Sequence, residues 1–276
     1  MFPRTNRFLA SFGAEVELLR PHLSEVFLKR GEVLIERGDE IRFVYFLHNG
    51  VVSKLTPFAD GGEVEAALVG PEGAVGAAVA MGLRYSLTRD VCHLEARASR
   101  LPADRLRQAC AASPVIHDAV QRYVIWKLSC AIRSGACNAR HSVGQRLCRW
   151  LLSCSDVLES RHIALSQEVF GKMLGVQRTS INPILQDLKA QGAIDIARSR
   201  ISVRDPAVLL ARSCECYLAL KADQEMLLAR RIGVAARSQK STFCTTLDRQ
   251  PTAAATIWRS ASPAGERSDG KPGRDG

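Results

Sequence analysis

Between residues 165 and 203 the chain carries two short runs of helix-spaced apolar residues hinged on one glycine, then two alternating segments, and few folds accommodate that order. Ser166 is a fitting N-cap for a first helix over 167–174, whose inward face is Val169, Phe170, Met173 and Leu174. Gly175 permits a sharp turn. Val176 then opens a second helix carrying Ile181, Ile184, Leu185 and Leu188 at i, i+3, i+4 and i+7. Pro183 inside it removes one backbone hydrogen bond and predicts a kink near Thr179. After Gln191 and Gly192, residues 193–197 and 200–203 alternate across a turn at Arg198 and Ser199, which predicts a β-hairpin wing. The spacing is that of a winged helix-turn-helix.

In such a motif the second helix enters the major groove of double-stranded DNA, N-terminal residues toward the base edges. Gln177, Arg178, Thr179, Ser180 and Asn182 occupy that end, with Ser166 and Gln167 opening the first helix. Arginine pairs bidentately with guanine, and glutamine or asparagine with adenine, so Arg178 is the first candidate for base readout. Arg198 and Arg200 on the wing are candidates for phosphate contact, which adds salt-dependent affinity without reading sequence.

Toward the N-terminus, β-rich runs at 32–35, 43–47 and 51–55 are punctuated by Gly31, Gly38, Asn49-Gly50 and Gly61-Gly62. That is the pattern of hairpins in a small antiparallel barrel or sandwich, with further strands expected at 66–69 and 91–98. Residues 71–82 are rich in glycine and alanine and predict a tight loop running into a short helix. Ser113 and Pro114 then supply a cap and a first-turn proline for a long helix expected to reach about Ala136. Its apolar residues Val120, Val124, Leu128 and Ile132, with Ile116 and Ile125 beside them, form a stripe suited to a second copy of the same helix. Residues 142–158 form another amphipathic helix, with Val143, Leu147, Trp150, Leu151 and Cys154 inward and Arg146 and Arg149 outward.

Composition supports a soluble chain. With 46% hydrophobic and 24% charged residues the usage is ordinary for a globular protein, and a net charge of +10 favours a polyanionic partner. The apolar run at 74–83 is too short to span a bilayer, and no apolar segment follows Arg4 and Arg7, so neither a membrane anchor nor a secretory signal is expected. The expected compartment is the cytoplasm. Nine cysteines without a Cys-x-x-Cys pair indicate neither a disulfide framework nor a zinc ligand set; only Cys214 and Cys216 lie close together, a pair that could respond to redox state. His117, His141 and His162 are scattered and read as capping or surface residues. No catalytic residue, metal or cofactor is expected.

These residues resemble the Crp/Fnr family of bacterial transcription regulators, over roughly residues 19–228. The resemblance rests on Gly31-Glu32-Val33-Leu34 through Gly38-Asp39 to Tyr45-Phe46-Leu47 and Gly50, on Gly70-Pro71-Glu72-Gly73-Ala74-Val75-Gly76, and on the winged segment. Residues 139–147 and 213–217 are similar to one proteobacterial branch of it. The family implies an α+β chain: an N-terminal jelly-roll-like β-barrel effector domain over 1–112, a dimerisation helix over 113–139 and a winged helix-turn-helix over 140–210, followed by a C-terminal helix over 211–230; residues 231–276, rich in serine, arginine, glycine and proline, cannot bury a core and are expected to form a disordered tail. It implies a homodimer on a two-fold symmetric operator, with RNA polymerase as a further candidate partner. Members that bind cyclic nucleotide use a glutamate on the ribose and an arginine on the phosphate, near Glu72, Gly73 and Arg89 here. Asp90 follows that arginine and would repel a phosphate, which disfavours this ligand. The first cysteine is Cys92, so the N-terminal iron-sulfur site of the oxygen-sensing branch is not expected either.

The alternative is a small-molecule-binding module whose basic surface holds nucleic acid without sequence preference. An enzyme is disfavoured, since no phosphate-cradling glycine loop or nucleophile motif is present.

Overall fold

The computed structural model describes residues 6–164, 170–171, 174–197 and 200–228. The expected tail at 231–276 lies outside these residues.

Two four-stranded antiparallel sheets build the first half. One has the order β1-β8-β3-β6, made of Ser24–Leu28, Ala96–Pro102, Phe43–Leu47 and Ala74–Val75. The other has the order β2-β7-β4-β5, made of Val33–Ile35, Arg89–Leu94, Val51–Pro57 and Glu63–Val69. Leu28, Val44, Phe46 and Leu101 from the first and Ile35, Val52, Val69 and Cys92 from the second share one core. The jelly-roll-like reading holds in that sense, but the strands form two facing sheets and do not close into one barrel. β1 has no counterpart in the sequence reading. Its Ser-Glu-Val-Phe-Leu segment is largely exposed and pairs with β8 far along the chain.

Helix α1 (Arg7–Ala10) is fixed to this core by Asn6, whose buried amide donates to the carbonyls of Leu47 and Gly73 at 2.8 and 2.7 Å and accepts from Leu9 N–H. Every polar atom of that amide faces a partner, so its burial is compensated. Helix α2 (Ala103–Ala112) leads to the long helix α3 (Pro114–Arg140), capped by Ser113, whose hydroxyl accepts from Ile116 N–H. The apolar stripe expected on α3 divides. Ile116 and Val120 are buried in the β-domain core, whereas Ile125, Leu128 and Ile132 are 55%, 59% and 65% exposed.

Helix α4 (Val143–Leu158) opens with a reciprocal capping box between Ser142 and Gln145. It carries a second core with α5 (Arg178–Ala190), a three-stranded sheet and α6 (Pro206–Arg212). That sheet runs β10-β11-β9, from Ile194–Ala197, Arg200–Val203 and His162–Ile163. Helix α7 (Cys216–Leu228) returns along α3, where Ser129 donates to Asp223 at 3.1 Å.

The two cores meet at a polar seam. Trp150 of α4 donates its indole N–H to Glu65 Oε1 at 3.1 Å, and Ser53 donates its hydroxyl to Glu65 Oε2 at 2.6 Å. Gly70 passes so close to α4 that a Cβ there would overlap Val157 Cγ1. Glu65 as a residue is half-buried, but its carboxyl end is enclosed, and burial pushes it up to about 7 despite the opposing hydrogen bonds from Ser53 and Trp150.

The folded chain therefore holds the Glu65 proton to higher pH than the unfolded chain does. Its contribution to stability is complete below the ordinary carboxylate value of 4.5 and is lost as pH rises toward about 7, by at most about 3 kcal/mol. Glu65→Gln keeps the shape and removes the titration. Thermal melts should show the wild type losing stability relative to this variant as pH is raised from about 5 to about 7.5; parallel profiles would mean that Glu65 titrates like a surface carboxylate.

Candidate nucleic-acid interface and effector pocket

Helix α5 divides into a buried and an exposed face. Ile181, Leu185 and Leu188 are fully buried against α4, which bars the helix from rotating and leaves its N-terminal residues outward. Gln177, Thr179 and Ser180 are exposed there, and Asn182 is half-buried with its Oδ1 unpartnered among the described residues. Arg178 is the first residue of α5; its side chain lies outside the described residues, as do Ser166, Gln167 and Arg198. The helix begins at Arg178 and not at Val176, with Gln177 as its N-cap, and its helical span continues through Pro183. Gly175 has φ +63°, the left-handed turn that joins the two helices. Arg200 is exposed at the start of β11, directly opposite Ala197.

Arg146 corrects the sequence reading. It points inward, 8% exposed, and donates to Asn138 Oδ1 at 2.9 Å and to the Leu174 carbonyl at 3.2 Å. A cation therefore clamps the end of the first recognition-motif helix to the end of α3. Both bonds come from one terminal nitrogen of the guanidinium, which carries two N–H donors and so serves both acceptors at once.

The residues considered for an effector fall into separate networks. Glu72 is buried; its Oε1 accepts from Gly70 N–H at 3.1 Å and lies 3.6 Å from Lys127 Nζ, while Oε2 is unpartnered among the described residues. Gly73 abuts the Tyr123 ring, where a Cβ would collide with the hydroxyl. That hydroxyl donates to the Ala74 carbonyl at 3.1 Å and accepts from Ala74 N–H at 3.0 Å, so α3 occupies the loop's backbone groups. Arg89 lies on β7, with Nε 3.0 Å from Glu36 Oε1 and a terminal nitrogen 2.8 Å from Glu63 Oε1. Both carboxylates raise the Arg89 pKa. Asp90, expected to repel a phosphate at Arg89, instead points into the fold, fully buried, and accepts from Lys54 Nζ at 2.6 Å and from Thr88 Oγ1 at 2.7 Å.

A cavity of about 170 Å³ does lie at the seam, lined by Glu65, Glu72, Lys127, Arg149 and Trp150 among others. By itself it is smaller than the roughly 300 Å³ at which drug-sized ligand sites begin, but a second cleft of about 450 Å³ shares Glu72 and Val157 with it.

One convergence escaped the sequence reading. Cys137 and His141 at the end of α3 meet Cys214 and Cys216 at the start of α7, with all four donor atoms within 4.8 Å of one another. Cys137 and His141 are four residues apart and so share a helix face, which was the available signal; their partners lie more than 70 residues away and only the fold supplies them.

Taken together, an outward recognition helix, a β-wing and a β-sandwich joined by one long helix define a DNA-reading regulator with an effector-type domain. A model of the cyclic nucleotide-binding domain matches residues 25–113 and a model of the Crp-like helix-turn-helix domain matches residues 145–212, together more than half of the chain. The chain belongs to the Crp/Fnr family of transcriptional regulators.

Solved structures share the fold. FixK2 from Bradyrhizobium japonicum superposes with a TM-score of 0.61 at 16% identity, covering 70% of this chain and 98% of its own. A CRP-family regulator from Thermus thermophilus gives 0.59 at 23% identity, over 68% and 96%. The c-di-GMP responsive global regulator CLP of Xanthomonas campestris gives 0.58 at 18%, over 68% and 97%. No curated protein matches the chain significantly. Among the described residues no helix is long and apolar enough to cross a membrane.

A cyclic phosphate reaching Arg89 would have to displace two carboxylates that already neutralise it. Calorimetric titration of the chain with cyclic AMP at physiological salt is expected to give no saturable heat. A micromolar isotherm would show that Glu36 and Glu63 yield their partner to the ligand.

Proposed function

We propose that the chain is a cytoplasmic homodimer that binds a two-fold symmetric operator in double-stranded DNA and regulates transcription, with Gln177, Arg178, Thr179, Ser180 and Asn182 toward base edges. The observation that carries this reading is the division of α5, whose apolar residues are locked inward while the polar N-terminal turn faces solvent. Ser166, Gln167, Arg198 and Arg200 are assigned to phosphates, where they add affinity but no sequence preference. RNA polymerase is the further candidate partner. No part of the reading calls for turnover of a substrate.

The exposed run Ile125, Leu128 and Ile132 supports the homodimer. These side chains recur at i, i+3 and i+7 on α3, an apolar seam that a second copy would cover, and two-fold symmetry suits paired half-sites. Effector control is assigned to the seam around Glu72, Gly73 and the Tyr123 contact. Arg89 is left as a structural ion-pair partner of Glu36, just after β2, and of Glu63 on β5.

Selection of bound genomic DNA by the purified protein should recover a palindromic site. Arg178→Ala should relax the preference at one position per half-site and weaken specific binding by about 1–3 kcal/mol. Salt-sensitive binding without any preferred site would favour the alternative of a ligand-binding module with a general nucleic-acid patch.

The double variant Leu128→Glu/Ile132→Glu places like charges on the α3 seam. Sedimentation should show a monomer that keeps its circular dichroism spectrum and has lost high-affinity operator binding. A dimer that survives both substitutions would move the interface off α3.

A further inference from the structure

The convergence of Cys137, His141, Cys214 and Cys216 has the chemistry of a metal site. Buried cysteines are commonly only small apolar side chains, and each of these is enclosed, at 1%, 2% and 5% exposure for Cys137, Cys214 and Cys216. Three features go beyond such packing. These three sulfurs form a small buried group apart from the two main cores. The spacing fits one ion: a tetrahedral centre with metal–sulfur bonds of about 2.3 Å holds its donors about 3.8 Å apart, and the structure has Cys137 Sγ 3.6 Å from Cys214 Sγ and Cys216 Sγ 3.8 Å from His141 Nδ1. The histidine is also oriented from behind. Its Nε2 lies 3.2 Å from Glu215 Oε2, a carboxylate that can only accept there, and its Nδ1 faces the sulfur of Cys216.

We propose that Cys137, His141, Cys214 and Cys216 bind one zinc ion, with Glu215 as the carboxylate that orients the histidine. Three soft thiolates and an imidazole in tetrahedral spacing select zinc among the abundant divalent ions. Four protein donors close the coordination shell, so the site is structural. Binding exchanges three thiol protons for the ion, the protons passing to solvent. The ion joins the last turn of α3 to the α6–α7 junction, beside the Asn138–Arg146 clamp on the recognition motif. It does so whether or not the operator reading holds.

The full chain purified under reducing conditions is expected to carry one zinc per chain by elemental analysis, and to give the visible and near-ultraviolet bands of tetrahedral thiolate coordination when loaded with cobalt(II). Cys214→Ser and His141→Ala should lose the metal, Glu215→Gln should bind it about 10- to 100-fold more weakly, and Cys130→Ser, which alters a cysteine outside the group, should retain it. Where a ligand variant fails to fold, alkylation of the wild type with and without zinc, mapped by mass spectrometry, decides: Cys137, Cys214 and Cys216 should be protected together. A chain that binds neither zinc nor cobalt, full zinc content in Cys214→Ser, or a Cys137–Cys214 disulfide that persists in reductant would each overturn the proposal.

Discussion

The two hydrogen bonds between the Tyr123 hydroxyl and the backbone of Ala74 hold the long helix to the β-sandwich, and the placement of everything beyond that helix follows from them. Tyr123 is 3% exposed, stacked on Phe8 with ring centroids 4.3 Å apart, and burial drives its phenol far above the usual range. A buried hydroxyl left without partners would cost about 1–3 kcal/mol; here the loop supplies both a donor and an acceptor. Helix α3 is thereby set in angle and register against Gly73, where only a residue without a side chain fits.

From that fixed point the chain spends its charges on internal bonds. Asp90 is matched to Lys54, Arg89 to Glu36 and Glu63, and Arg146 to Asn138 and the Leu174 carbonyl. A β domain whose arginine is held this way retains the architecture of an effector module without offering a free cation to a phosphate. The family match describes the scaffold; the ligand chemistry depends on these particular pairings.

Much of this was legible in the chain because it rests on local rules. Ser113-Pro114 announced α3, the spacing of Val143, Leu147, Trp150, Leu151 and Cys154 announced α4, and Gly175 with its flanking apolar spacing announced the recognition motif. What was not legible depends on distant partners. Strand β1 lacks clean alternation and exists because β8 pairs with it. Arg146 reads as a surface residue until Leu174 and Asn138 are brought to it, and the α3 stripe divides only where the β core ends. The Cys137 and His141 pair gains meaning from Cys214 and Cys216, which sequence spacing cannot deliver. The readout residues were named from local pattern, and for Arg178 the structure adds the backbone position of its Cα at the first turn of α5.

The near-contact of Gly70 with Val157 makes the two halves of the chain mechanical neighbours. Two routes then lead from the β-sandwich to the recognition helix: the length of α3, and a direct path of one side chain's width from the 70–76 loop into α4. The shorter path has no slack: a Cβ at position 70 would overlap Val157 Cγ1, so even a single methyl group there would force the loop and α4 apart.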